Sequence, residues 1–315
     1  MSILITGAAG FIGSHLCFRL LEEGNTVVGV DNFRLGKIEN LKESINNPNF
    51  TFIETDIVRD NFKEQLKPFS KNIKAIWHLA ASSDIQAGAV DYKIDLSDTF
   101  RTTTAVCEFA EENDIKNIYF SSTGAVYGEH EGKLHEKTLC NPISFYGTFK
   151  LASENFLRAN HHRFFKKVVI YRFSNIIGSN ATHGVIYDFV NKLIKNNTTL
   201  EVLGDGTQQK PYLHVDDLMD AMLFINSNTK NGYHVFNIGP DDEGVTVKDI
   251  ANKVVNSMLL NSKIQYGDED RGWVGDIPKV RYSNQKLTSF GWSPSLSSAE
   301  AVDKAVGEII SENFH

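Results

Sequence analysis

The sequence is poor in cysteine, in proline and in net positive charge, and each shortage excludes something. Its 315 residues hold three cysteines, Cys17, Cys107 and Cys140, odd in number and without a Cys-x-x-Cys pair. That fits a reducing compartment better than a disulfide framework, with the three thiols most simply read as small buried apolar groups. The seven prolines are scattered, so there is no Pro-rich linker, and neither an internal repeat nor a low-complexity tract occurs. A net charge of −7 with acids and bases interspersed leaves no basic stripe for a nucleic-acid partner. No apolar run approaches bilayer length, and Ser2 leads into a strand without a basic or apolar leader, so no membrane partner and a cytoplasmic location are expected. No His-Glu-x-x-His or comparable ligand spacing is present, and no metal is expected.

What the chain does have is an alternation of strand and helix signals from its first residues. Ile3 to Thr6 is short and apolar, as a strand buried on both faces of a parallel sheet requires. Gly7-Ala-Ala-Gly10-Phe-Ile-Gly13 follows, then His15, Leu16, Phe18, Leu20 and Leu21 at helical spacing. A strand, a bare turn and a helix N-terminus bring backbone N–H groups and the helix dipole to bear on a pyrophosphate, and small residues let it approach. The next strand, Thr26 to Val30, ends at Asp31, 18 residues after Gly13. A carboxylate there accepts from ribose hydroxyls and repels a 2′-phosphate, which selects NAD over NADP, although Arg34 stands close by in sequence.

Further strands run from Phe50 to Glu54, ending at Thr55-Asp56-Ile57, and from Ala75 to Leu79, ending at Ala80-Ala81. Asp56 is placed to reach an adenine amine, and the small alanines leave room for a cofactor across the strand ends. Asp91 to Glu112 reads as one long amphipathic helix covering the sheet. A fifth strand ends in hydroxyls at Ser121-Ser122-Thr123, where ligands bind in open α/β sheets, and Val168 to Phe173 is a sixth. The pattern predicts an α/β fold, a doubly wound, Rossmann-like parallel sheet over residues 1–174, followed by a smaller C-terminal α/β substrate domain over 175–315, some of whose segments return to the first.

Tyr146-Gly-Thr-Phe-Lys150 puts a phenol and an ammonium on one face of a helix, an arrangement in which the cation reaches toward a cofactor and lowers the phenol's pKa. The same spacing recurs at Tyr282 and Lys286. Context favours Tyr146, which follows the hydroxyl-tipped strand and the nucleotide-binding start, whereas Tyr282 lies in a late, turn-rich region.

Taken together, Gly7-x-x-Gly10-x-x-Gly13, Asp31-Asn32, Asp56-Ile57, His78-Leu79-Ala80-Ala81, Ser121-Ser122-Thr123, Tyr146-x-x-x-Lys150, Tyr171 to Asn175, Gly204-Asp205-Gly206, His214-Val215-Asp216-Asp217, Phe236 to Gly239 and Gly275 to Pro278 resemble the extended short-chain dehydrogenase/reductase family. Within it the likeness is to nucleotide-sugar 4-epimerases of the UDP-glucose 4-epimerase type, over nearly the whole length. The resemblance implies bound NAD, contacted by Gly7, Gly10, Phe11, Ile12, Gly13, Asp31, Asn32, Asp56, Ile57, Leu79, Ala80, Ala81, Tyr146 and Lys150. It makes Tyr146 the acid/base, Lys150 its ribose-binding partner and Thr123 the hydroxyl bridging to the sugar. Asn175, Lys210, Tyr212, Arg271 and Asp276 become substrate contacts, with a UDP-sugar as substrate and a homodimer as the assembly.

The reaction so implied is C4 epimerisation of a UDP-hexose, UDP-glucose to UDP-galactose, through a transient 4-keto sugar. The alternatives are a UDP-glucuronate 4-epimerase, or a nucleotide-sugar 4,6-dehydratase or decarboxylase. The dehydratase requires acids just after the Ser/Thr, where this chain has Gly124 and Ala125. A glucuronate enzyme of this type draws on arginine in the loop after the sixth strand, whereas Gly178 to Gly184 contains no arginine or lysine. The chain departs from the pattern at Lys210, where an arginine is usual and bidentate geometry is lost, in the wider spacing of Arg271 from Asp276, and at Asp95, where an asparagine is common.

Overall fold

The computed structural model describes residues 2–59, 61–273 and 275–313. The chain opens with β1 (Ser2–Thr6), α1 (Phe11–Glu22), β2 (Thr26–Asp31), β3 (Phe50–Glu54), α2 (Phe62–Ser70) and β4 (Ile73–His78). Next come α3 (Ile85–Val90), α4 (Tyr92–Asp95), α5 (Thr102–Glu112), β5 (Asn117–Thr123), α6 (Phe145–Arg163) and β6 (Lys167–Phe173). The remainder comprises β7 (Asn175–Ile177), α7 (Val185–Lys195), β8 (Thr199–Val202), β9 (Gln209–Lys210), β10 (Tyr212–His214), α8 (Val215–Asn228), β11 (Gly232–Ile238), β12 (Val245–Thr246), α9 (Val247–Ser257), β13 (Lys263–Tyr266), α10 (Gln285–Phe290) and α11 (Ser298–Asn313).

Seven strands form one sheet in the order β11-β6-β5-β4-β1-β2-β3, and the pairs β1–β2, β1–β4, β2–β3 and β4–β5 are parallel. β1 lies between β2 and β4, which is why Ile3, Leu4 and Ile5 are all buried. The order reverses at β1, so the crevice beyond its C-terminal end, between the turns after β1 and β4, is where an open sheet of this kind receives a ligand. Leu4, Val28, Ile76, Ile118, Val168 and Ile170 from the strands pack with Val106, Phe109 and Leu157 from the helices into one core.

The chain divides into two compact units. One comprises Met1–Val126, Cys140–Arg172 and Leu223–Phe236; the other comprises Tyr127–Leu139, Phe173–Met222 and Asn237–His315. The second has its own core, in which Ile186, Phe189, Val190 and Leu193 of α7 pack with Ile250 and Val254 of α9 and Ala301, Val302 and Ala305 of α11. Its strands pair two by two, β7 with β10, β9 with β12 and β8 with β13. Among the described residues no helix is long and apolar enough to cross a membrane.

The expected helix over 91–112 runs without a gap from Tyr92 to Glu112, but its spacing changes from α to π and back within it. Asp91 caps α4 by accepting from Lys93 N at 3.0 Å, and residues Leu96–Arg101 form a π-helical turn before α5. Hydroxyls compete for its carbonyls. Thr102 Oγ1 donates to Asp98 O and Thr99 O at 2.9 and 2.8 Å, and Thr103 Oγ1 to Thr99 O at 2.8 Å. Such bonding loosens the regular ladder and accommodates the extra residue of a π turn.

Candidate active site

The turn after β1 is built without side chains because backbone occupies their place. Gly7 has φ +74°, and a Cβ on it would lie 2.8 Å from Ala80 N. A Cβ on Gly13 would fall 1.9 Å from Gly7 O. Gly10 caps α1 with no side-chain acceptor, so the cap residue itself takes none of the first N–H groups of that helix. Leu79, Ala80 and Ala81 follow β4, and Ala80 N donates to Thr6 Oγ1 at 3.2 Å, which fixes one strand end against the other.

Asp31 ends β2 and folds back over the turn, accepting from Ala9 N at 3.0 Å and Phe33 N at 2.9 Å. Burial raises its pKa against the pull of these N–H groups. Beyond it Asn32 Nδ2 donates to Asp56 Oδ2 at 2.8 Å, and Asp56 also accepts from Val58 N and Arg59. Partial burial opposes ionisation of Asp56, but the bonds from Asn32, Arg59 and Val58 outweigh it and bring the carboxyl down to about 2. A cavity of about 310 Å³ opens here, lined by Asn32, Arg34, Glu54, Thr55, Asp56 and Arg59. Both arginines, with side chains about half exposed, are paired with Asp98, and Arg59 with Asp56 as well. Ile57 is buried beside Asp56.

β5 and α6 supply the third part. Ser144 caps α6 by accepting from Gly147 N at 3.1 Å, which sets Tyr146 in the first turn and Lys150 one turn on. Thr123, at the end of β5, hydrogen-bonds the Tyr146 phenol. Tyr146 is partly exposed as a residue, but its phenol end is enclosed. That burial pushes the phenol up to about 12, against the pull of Thr123 and with a further rise from the Asp95 charge. Lys150 is 3% exposed. Burial pushes its amine down to about 7, with Glu154 and Asp95 opposing. Its Nζ donates to Ser121 O at 2.6 Å and lies 5.9 Å from the centre of the Tyr146 ring. The expected lowering of the phenol by the ammonium does not set its pKa in the protein alone: desolvation of the phenolate dominates and raises it.

Beneath this pair lies a layer that the sequence did not disclose. Glu154, one turn beyond Lys150, is fully buried, accepts from Ser122 Oγ at 2.5 Å and binds Arg172 of β6 through both of its oxygens at 3.0 and 2.6 Å. His78 is also wholly buried, between Thr6 Oγ1 at 2.7 Å and Thr103 Oγ1 at 3.1 Å. Burial and the Lys150 charge hold its pKa at about 3, so it is a neutral link between β1, β4 and α5. A burial pattern would have marked these residues, but charged side chains on a helix read as a solvated face from sequence alone.

The second unit gathers the remaining candidates among themselves. Lys210 Nζ pairs with Asp276 Oδ1 at 2.5 Å and lies 5.4 Å from the Trp273 ring centre. Arg271 donates to Asp276 O at 3.3 Å and pairs with Glu129 at 2.6 Å. Asn175 and Tyr212 are register partners across β7 and β10, and Asn175 Nδ2 donates to Pro211 O at 3.2 Å. Tyr282 is buried in an extended segment that precedes α10, and Lys286 lies inside that helix, so the second Tyr/Lys spacing does not share a helical face.

Also in the second unit, His214 Nε2 meets Glu308 at 2.9 Å and Nδ1 meets Asp216 at 3.3 Å, with the ligand atoms of all three within 4.8 Å of one another. Lys304 pairs with both acids and supplies the second positive charge that a cation would otherwise bring. Burial disfavours the imidazolium, but the two carboxylates outweigh it and raise His214, while Asp216 and Glu308 are lowered. The histidine's contribution is full below its unfolded value of about 6.5 and is lost as pH rises through the higher folded value. The carboxylates' contribution is present above about 4.5 and is lost in acid. The stability gap between the wild type and His214→Gln, from urea midpoints, should be widest between about pH 4.5 and 6.5 and narrow on either side. A gap that is constant with pH would assign His214 to packing alone.

Comparison with known proteins gives a consistent picture. Residues 3–239 match the model of the NAD dependent epimerase/dehydratase family. A putative UDP-glucose 4-epimerase of Methanocaldococcus jannaschii is 28% identical, covering 99% of both chains. The crystal structure of a UDP-galactose 4-epimerase superposes with a TM-score of 0.87 at 31% identity, again over 99% of both chains. A Bacillus cereus UDP-glucuronic acid 4-epimerase, solved with UDP-glucuronic acid and NAD, gives 0.87 at 27% identity, over 99% of this chain and 100% of that one.

Proposed function

Because the chain belongs to the NAD dependent epimerase/dehydratase family, we propose that it interconverts the C4 epimers of a UDP-sugar, UDP-glucose and UDP-galactose, with NAD as its resident cofactor. The observation that carries this reading is the enclosed Tyr146 phenol, hydrogen-bonded by Thr123 and followed one helical turn later by a buried Lys150. The first unit suits NAD. Gly7, Gly10 and Gly13 leave the turn bare where a Cβ would intrude, Phe11 and Ile12 present the helix N-terminus, and Asp31 closes β2. Asn32, Asp56 and Ile57 would take the adenine end, Leu79, Ala80 and Ala81 the strand-end crossing, and Lys150 the second ribose. In the second unit Asn175, Lys210, Tyr212, Arg271 and Asp276 would take the nucleotide and its diphosphate.

Bound NAD supplies a hydride acceptor and a positive charge. The side chains handle the proton: as phenolate, Tyr146 accepts it from the sugar 4-hydroxyl, and as phenol it returns it after the keto sugar has turned over. Thr123 bridges phenol and sugar, and the diphosphate contacts retain the sugar while it turns. At the positions after Thr123, Gly124 and Ala125 offer no acid for the elimination a dehydratase needs. The Gly178 to Gly184 loop is tied through Ser179 N and Asn180 N to Glu308 and Glu312, surroundings that disfavour a sugar carboxylate and favour a neutral hexose. Three free cysteines suit a cytoplasmic protein. Exposed Val90, Tyr92, Ile143 and Phe145, with the two rings 5.6 Å apart, support a homodimer through these helices, which sedimentation would decide.

The decisive test is to incubate UDP-glucose, UDP-galactose, UDP-glucuronate and UDP-N-acetylglucosamine in parallel without added NAD. UDP-galactose and UDP-glucose should interconvert. A kcat/KM for UDP-glucuronate about tenfold above that for UDP-galactose would overturn the choice of sugar and leave the C4 chemistry standing. No product from any of the four would sink the reading.

A further inference from the structure

Asp95 has no place in the roles assigned so far, yet the fold makes room for it. Its carboxyl is wholly buried at the end of α4, and neither Oδ1 nor Oδ2 has a hydrogen-bond partner. Buried carboxylates are normally paired or hydrogen-bonded, so an orphan of this kind calls for a reason. The space it fills is provided by α3, where a Cβ on Gly88 would fall 2.0 Å from Asp95 Oδ2. The helix α6 packs against both α3 and α4. From it Lys150 brings a buried ammonium whose hydrogen bond to Ser121 O leaves two protons uncommitted.

We propose that Asp95 is an internal counter-charge of the Tyr146–Lys150 pair, a positioning residue that acts with Glu154 to hold Lys150 as an ammonium. The inference rests on the reading of Tyr146 and Lys150 as the reactive pair. The charges that face Asp95 are few: Lys150 favours its ionised form, while Asp98 in the π turn and Asp84 at the cap of α3 oppose it. Lys150 in turn faces Glu154 and Asp95, both favouring its charge, and Tyr146 feels Asp95 as a like charge that discourages the phenolate. His78 stays neutral across the range concerned.

Burial sets the Asp95 carboxyl at about 6 and the Lys150 amine at about 7. Each ionised form favours the other, and when both are ionised their charges offset. In more acid solution Asp95 takes a proton and Lys150 is left with Glu154 alone; in more alkaline solution Lys150 loses its own. Asparagine in this slot would keep the shape and remove the charge.

The test follows both titrations by NMR on the full-length protein. With [13Cε]lysine labelling, the Lys150 resonance, assigned by its loss in Lys150→Arg, should titrate near pH 7 in the wild type. In Asp95→Asn its midpoint should fall by at least about 0.5 pH unit. An unmoved midpoint, whatever the change in melting temperature, would overturn the proposal and leave Asp95 a structural residue. Should Asp95→Asn fail to fold, [13Cγ]aspartate labelling reads the reverse effect: of the two aspartates that burial raises, Asp31 and Asp95, the one whose resonance persists in Asp31→Asn should move higher still in Lys150→Met, and no movement refutes the pairing. Neither titration uses a substrate, so inactivity toward UDP-sugars would refute the proposed function without touching this result.

Discussion

Tyr146→Phe is expected to lower kcat by about 10²- to 10⁴-fold while NAD stays bound and the fold is unchanged, the range that a positioned acid/base contributes. The substitution removes one oxygen and keeps the ring. The cap of α6 by Ser144 and the hydrogen bond from Lys150 to Ser121 do not involve that oxygen. What disappears is the group whose pKa burial has raised to about 12 and which Thr123 alone among its neighbours pulls down. The proton of the sugar hydroxyl then has no acceptor at the right place. Three readouts separate the outcomes: turnover by product analysis, cofactor content by absorbance after denaturation, and melting temperature. A variant that keeps most of its kcat would strip Tyr146 of its role. One that loses cofactor together with activity would mark it as a binding residue.

The turn and strand ends on which the cofactor is proposed to sit were legible because their determinants are local. A strand buried on both faces, a turn where only glycine fits and a carboxylate ending the next strand are each specified within about thirty residues of sequence. The Tyr146–Lys150 pair was legible for the same reason, since a helix of known start places both on one face. What escaped depends on residues far apart. The pairing of Glu154 with Arg172 and Ser122 joins α6 to two strands, and a glutamate on an amphipathic helix gives no sign of burial. The π turn at 96–101 arises from threonine hydroxyls taking backbone carbonyls, which leaves the apolar spacing of a plain helix intact. That some later segments return to the first unit was expected, but the identity of the returning stretch, 223–236, and the passage of 127–139 into the second unit rest on contacts between residues far apart in sequence. Paired strands of two residues, such as β9 with β12, are too short to carry an alternating pattern. Asp95 was visible as an oddity of sequence, but only burial without a partner gave it meaning.

Gly13→Ala should abolish retention of NAD and lower the melting temperature, although it adds a single methyl group to a helix, where alanine is otherwise favoured over glycine. The propensity gain of about 1 kcal/mol is overridden by position. The new Cβ would lie 1.9 Å from Gly7 O, 2.8 Å from Gly7 C and 3.0 Å from Ala8 Cα, all of them backbone atoms that no rotamer change can clear. Relief requires the turn to move away from α1, and the turn is the surface proposed to receive the pyrophosphate. Gly7→Ala meets a comparable obstacle, since its Cβ would sit 2.8 Å from Ala80 N and its φ of +74° strains any side chain. Gly10→Ala is the graded control. Its φ of −73° and ψ of 172° suit any residue, and its Cβ meets only Gly7 O, at 3.2 Å. Cofactor content should therefore fall steeply for Gly13→Ala and Gly7→Ala and only modestly for Gly10→Ala, with melting temperatures in the same order. A Gly13→Ala protein that purified with its full complement of NAD and an unchanged melting temperature would refute the placement of the cofactor on this turn.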